Sequence, residues 1–104
     1  MTTPDPIRRF VEATNAGDSE AFLDSFTPDA FLSDWGRSFK GREQIARWNQ
    51  SDNIGVQSRL RILGIAAKDG TYRVRIAVEG NGFNGDGDMV FTLDGERISG
   101  LVIS

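Results

Sequence analysis

The chain contains no cysteine and no histidine, a single tyrosine, three prolines, and no apolar run long enough to cross a bilayer. Without cysteine there are no disulfides, no thiolate nucleophile and no thiolate metal site. The lack of histidine excludes Ser-His and Cys-His nucleophile pairs and imidazole metal ligands as well. Acid-base chemistry would then fall to Asp, Glu, Lys or Tyr72, which makes the carboxylates the candidates. Basic residues are scattered and the formal net charge is -3, so the chain has no electrostatic footprint for nucleic acid. The opening MTTPDPIRRF lacks the apolar core of a signal peptide, and the expectation is a cytoplasmic protein with no membrane partner.

What is present suits one domain spanning residues 1–104, with a single core and no low-complexity tract. Helical spacing of Ile7, Phe10, Val11 and Thr14 predicts a first helix with Asp5 as its N-cap, Pro6 in its first position and Gly17 at its end. Asp18 is placed to cap a second helix burying Phe22, Leu23 and Phe26, broken by Thr27-Pro28-Asp29. A strand over Ala30 to Asp34, a turn at Gly36, a short strand at Ser38 to Lys40 and a third helix carrying Ile45 and Trp48 follow.

The second half reads as antiparallel strands. Asp69-Gly70 between two β-rich runs predicts a two-residue hairpin turn. If Lys68 faces Thr71, then Ile65 faces Val74, Leu63 faces Ile76 and Arg61 faces Val78. A second hairpin is expected to turn at Asp94-Gly95 and to pair Phe91 with Ile98, which sets Asp88 on one face with Val90, Ser99, Leu101 and Ile103. Between the hairpins, GNGFNGDGD lacks the Gly-Lys-Ser/Thr of a phosphate loop and leads into a strand, so it reads as a glycine-rich connection.

Four stretches in order, FVEATNAGD, FTPDAFLSDWG, FKGREQIARW and FTLDGERISGLVIS, resemble the NTF2-like superfamily, and within it the SnoaL-like and ketosteroid-isomerase-like proteins. The resemblance implies an α+β cone: a curved mixed or antiparallel sheet wrapped over three N-terminal helices around a deep pocket, in a chain that forms homodimers through the outer face of its sheet. It also implies a small apolar molecule as partner and calls for no cofactor or metal. The fold hosts isomerases, cyclases, epoxide hydrolases and non-catalytic binders, so activity has to be argued from positions.

Asp34 stands where the resemblance puts a proton-shuttling aspartate, and it shares strand parity with Ala30 and Leu32, pointing it toward the core side. Asp88 falls near the position of a second acid that donates to the oxyanion. The tyrosine that would join it is replaced by Phe10, which cannot donate that bond. Asp34 and Asp88 are therefore the catalytic candidates, with Phe10, Thr14, Phe26, Trp35, Trp48, Arg61, Phe83, Met89 and Phe91 as candidate pocket lining. Arg59 and Arg61, if turned inward by the hairpin register, could join the two aspartates in the Asp-Arg-Asp group with which epoxide hydrolases of this superfamily activate water. The functional expectations are a small-molecule-binding protein acting as an isomerase or cyclase through an Asp base, a non-catalytic binding or dimerisation module, or an epoxide hydrolase.

Overall fold

The computed structural model describes residues 3–104. Pro4 is the N-cap of α1 (Asp5–Ala16), so the helix begins one residue earlier than the expected cap at Asp5, and Pro6 still falls in the first turn where its missing N–H costs nothing. Asp18 caps α2 (Ser19–Asp24) by accepting a hydrogen bond from the Ala21 N–H at 3.0 Å. Phe26 does not continue that helix. Pro28 disfavours helical backbone at Thr27, and β1 (Phe26–Asp34) starts there, with Phe26 fully buried all the same.

β2 (Arg37–Lys40) returns along β1, α3 (Gly41–Asp52) follows, and a 3-10 turn at Ile54–Val56 leads to four long strands. These are β3 (Arg59–Lys68), β4 (Thr71–Glu79), β5 (Gly85–Asp94) and β6 (Arg97–Ile103). The six strands form one curved, unclosed sheet in the order β2-β1-β6-β5-β4-β3, parallel between β1 and β6 and antiparallel elsewhere. The helices cover its inner face. Phe10, Phe22, Phe26 and Phe91 meet there with ring centroids 5.2 to 6.0 Å apart, in tilted and edge-on arrangements that favour aromatic pairs. The result is the α+β, NTF2-like arrangement that the sequence motifs suggested.

Two registers differ from expectation, and both differences move charged groups. The Asp69-Gly70 turn and the Ile65–Val74 pair form, but a bulge at Leu63 sets Ile62 against Ile76 and Leu60 against Val78. The inward row of β3 is thereby Leu60, Ile62 and Ile65, all aliphatic. An unbulged strand would have put Arg59 and Arg61 in that row, so burial selects the bulge and both arginines point outward, exposed.

In the second hairpin the turn residues are Gly95 and Glu96, with Asp94 opposite Arg97, and Ser99 is an extra residue between the pairs Leu93–Ile98 and Thr92–Gly100. Phe91 consequently faces Leu101 and Met89 faces Ile103, all on the inner side. Asp88 belongs to the opposite row and does not share a face with Leu101 or Ile103.

Candidate active site

Asp34-Trp35-Gly36-Arg37 forms a two-residue hairpin turn in which Asp34 and Arg37 are partners and the two central residues have φ of 50° and 86°. Type I′ turns require positive φ at both positions. Glycine adopts it freely, whereas a tryptophan there is strained by about 1–2 kcal/mol. The consequence is positional: side chains of directly opposed residues leave a hairpin on the same face, and Arg37 Nη2 donates to Asp34 Oδ2 at 2.7 Å. Asp34 follows Ala30 and Leu32 in the inward row and is 13% exposed.

α3 supplies the remaining partners. Trp48, stacked on Phe22 with ring centroids 6.2 Å apart, donates from Nε1 to the same Asp34 Oδ2 at 2.9 Å. One turn later, Asp52 lies on the same helix face. Its Oδ2 accepts from Arg37 Nη2 at 2.6 Å and its Oδ1 from Arg37 Nη1 at 3.4 Å, while the Ser51 hydroxyl donates to Oδ1. Arg37 thus bridges two carboxylates, with its guanidinium 5.6 Å from the centre of the Phe39 ring. Hydrogen bonding to Arg37 holds the Asp52 carboxyl below its ordinary range against an opposing desolvation, and the bond to Asp52 is the largest cause raising the Arg37 guanidinium above its own.

These groups form one rim of a cavity of about 300 Å³, at the small end for ligand sites. Trp48, Leu60, Ile76, Val78, Met89 and Ile103 give it apolar walls. Gly87 lies in the inward row of β5 opposite Ile76, where a side chain would otherwise take up space. Trp35 and Phe83 stand beside the opening, 77% and 60% exposed. Both hydrogen bonds to Asp34 use Oδ2, and Oδ1 receives none from the described residues.

Of the residues singled out in the sequence, Asp34, Trp35, Trp48, Phe83 and Met89 come together around this cavity. Phe10, Phe26 and Phe91 lie behind it in the core, and Thr14 is a buried hydrogen-bond partner of Asn53 rather than lining. Arg61 faces outward and borders a separate depression with Asn15, Glu79 and Asn84 rather than this cavity. Asp88 touches the cavity edge, but its carboxylate is paired with Arg73 at 3.4 Å and Arg75 at 3.2 Å on the outer face, so it does not converge with Asp34. Arg59 and Arg61 do not join the two aspartates; the arginine that lies between two aspartates at this cavity is Arg37, with Asp34 and Asp52. Arg37 and Asp52 were missed in the sequence; the turn pairing of Asp34 with Arg37 is the signal that could have found the first, and the four-residue spacing of Asp52 from Trp48 shows the second only once Arg37 is placed.

The family model of the SnoaL-like domain matches residues 7–101. A candidate polyketide cyclase from Sinorhizobium meliloti superposes with a TM-score of 0.89 at 26% identity, over 98% of this chain and 95% of that one. A candidate ketosteroid isomerase from Kribbella flavida gives 0.79 at 15% identity, over 94% and 73%. The epoxide hydrolase/cyclase-like enzyme SalBIII of pyran ring formation in salinomycin gives 0.83 at 19% identity, over 94% and 85%. No curated protein matches the chain in sequence.

Proposed function

The chain belongs to the SnoaL-like domain family, and from that membership we propose that it binds a small, mainly apolar carbonyl compound in this cavity and acts on it as an isomerase or cyclase, with Asp34 as general base. The observation that carries the reading is the state of Asp34: Oδ2 is fixed by Trp48 and Arg37, while Oδ1 is left to take a proton from carbon. Arg37 has no partner for Nε among the described residues and supplies positive charge where an enolate oxygen develops. The likeness to a candidate polyketide cyclase supports a carbonyl substrate. Pairing of two copies through the outer sheet face belongs to the same proposal.

Screening cyclic enones, β-keto esters and β-tetralone against the wild type and Asp34→Asn tests this. Turnover should vanish in the variant while affinity stays within a few fold, because the amide keeps the shape and loses the base. Binding without turnover in either protein would leave a binding module.

A second reading is favoured by the arginine bridging two carboxylates at the cavity rim: activation of water for attack on an epoxide, with Asp34 or Asp52 as base. Hydrolysis of styrene oxide by the wild type, lost in Asp52→Asn, would select it over carbon-acid chemistry.

A further inference from the structure

Asn53 ends α3 as its C-cap, is 3% exposed and lines the cavity. Its side-chain amide is held in one orientation. Nδ2 donates to Thr14 Oγ1 at 3.1 Å and to Asn49 Oδ1 at 3.0 Å, which uses both of its N–H bonds. Asn49 is itself oriented, donating from Nδ2 to Ser19 Oγ and accepting from the Ile54 N–H. Turning the Asn53 amide over would set two carbonyl oxygens against each other, so Oδ1 must face the other way.

That Oδ1 takes no hydrogen bond from any described residue and keeps some solvent contact, although the residue as a whole is nearly buried. A ligand that covers this acceptor displaces its water, so a ligand group that donates to it keeps the bond and one that cannot leaves it unpaired. The lining also holds polar side chains, among them Ser51, Asp52 and Ser58; the Ser58 N–H donates to the Asn53 carbonyl at 3.0 Å. Trp35 and Phe83 are exposed while Asn53 and Ser58 are buried, which places this acceptor at the inner end and the aromatics at the mouth.

We propose that Asn53 determines specificity: its Oδ1 accepts a hydrogen bond from a hydroxyl or N–H of the bound molecule, so the cavity selects hydroxylated carbonyl compounds over their unsubstituted counterparts. This rests on the cavity being the ligand site, as proposed above. A hydrocarbon ketone leaves the acceptor unpaired and binds more weakly; the hydroxylated molecule satisfies it with its own donor.

The test is the affinity ratio of β-tetralone and its ring-hydroxylated isomers, measured by calorimetry on the wild type and Asn53→Leu. At least one hydroxylated isomer should bind the wild type about tenfold or more tightly than β-tetralone. In Asn53→Leu the ratio should fall to about one, whatever the change in affinity for β-tetralone itself. Equal affinities in the wild type, or a ratio that survives in Asn53→Leu, overturn the assignment of Asn53 while leaving the cavity as the ligand site. Binding of neither probe overturns both. Should Asn53→Leu fail to fold, the side-chain amide signals of Asn53 in the wild type decide: they should move with the hydroxylated probe and not with β-tetralone, and equal movement overturns the proposal.

Discussion

Arg37 joins two acids that lie on different elements, and its removal should be visible in how Asp52 titrates. The folded pKa of Asp52 is below its unfolded value, which lies near 3.9. The pair therefore contributes stability above about pH 3.9, and that contribution is lost as the pH falls through the lower folded value. Because Arg37 is half exposed, the amount is small, about 0.2–1 kcal/mol. In Arg37→Met the Asp52 carboxyl should titrate closer to the ordinary range, and wild type and variant should converge in stability as the pH drops toward about 2. Carboxyl carbon-13 titration with denaturant midpoints checks both; an Asp52 carboxyl that titrates identically in the two proteins rules the pairing out. The inward direction of Asp34 was legible in the sequence through its parity with Leu32, while its choice as a candidate came from the family resemblance. Asp52 was not, because a carboxylate at a helix end looks like any solvated acid until its partner on β2 is placed.

At the scale of elements, the Trp35-Gly36 turn holds Asp34 against Arg37 at the expense of a bulky residue at positive φ. Asparagine tolerates that backbone. Trp35→Asn should therefore raise unfolding free energy by about 0.5–1 kcal/mol, read from urea unfolding. The same variant should weaken ligand binding by removing an exposed wall of the mouth. Loss of stability would show that the indole packs more than its 77% exposure suggests. Helices and turns were readable because caps, Asp-Gly and periodicity are local signals. The bulges at Leu63 and Ser99 were not, since each is selected by what the far side of the sheet must bury. One extra residue in β3 was enough to send Arg61 to the outer face, and one in β6 to turn Leu101 and Ile103 inward beside Phe91 and Met89, away from the row that holds Asp88.

The whole molecule presents two surfaces of different character. On the outer face Phe31 lies over Gly100, so close that a Cβ there would meet the ring at 2.6 Å, and exposed Val102 follows beside Val90. Asp88 and its two arginines stand next to this patch. If two copies pair across it, Phe31→Asp should turn a dimer into a monomer in sedimentation equilibrium without altering the circular dichroism; a wild type that sediments as a monomer rejects the pairing. The inner side holds the cavity, and no helix among the described residues is long and apolar enough to cross a membrane. The family and its fold could be read almost end to end from four short stretches. The direction of each carboxylate could not, because it depends on register across the whole sheet.

The most direct measurement is the rate at which β-tetralone exchanges its α-protons in deuterium oxide, followed by proton NMR with wild type and with Asp34→Asn. A base at Asp34 should make the wild-type rate exceed that of the variant by about a hundredfold or more, with both proteins binding the ketone. Equal rates in the two proteins, with binding intact, would remove Asp34 as the base.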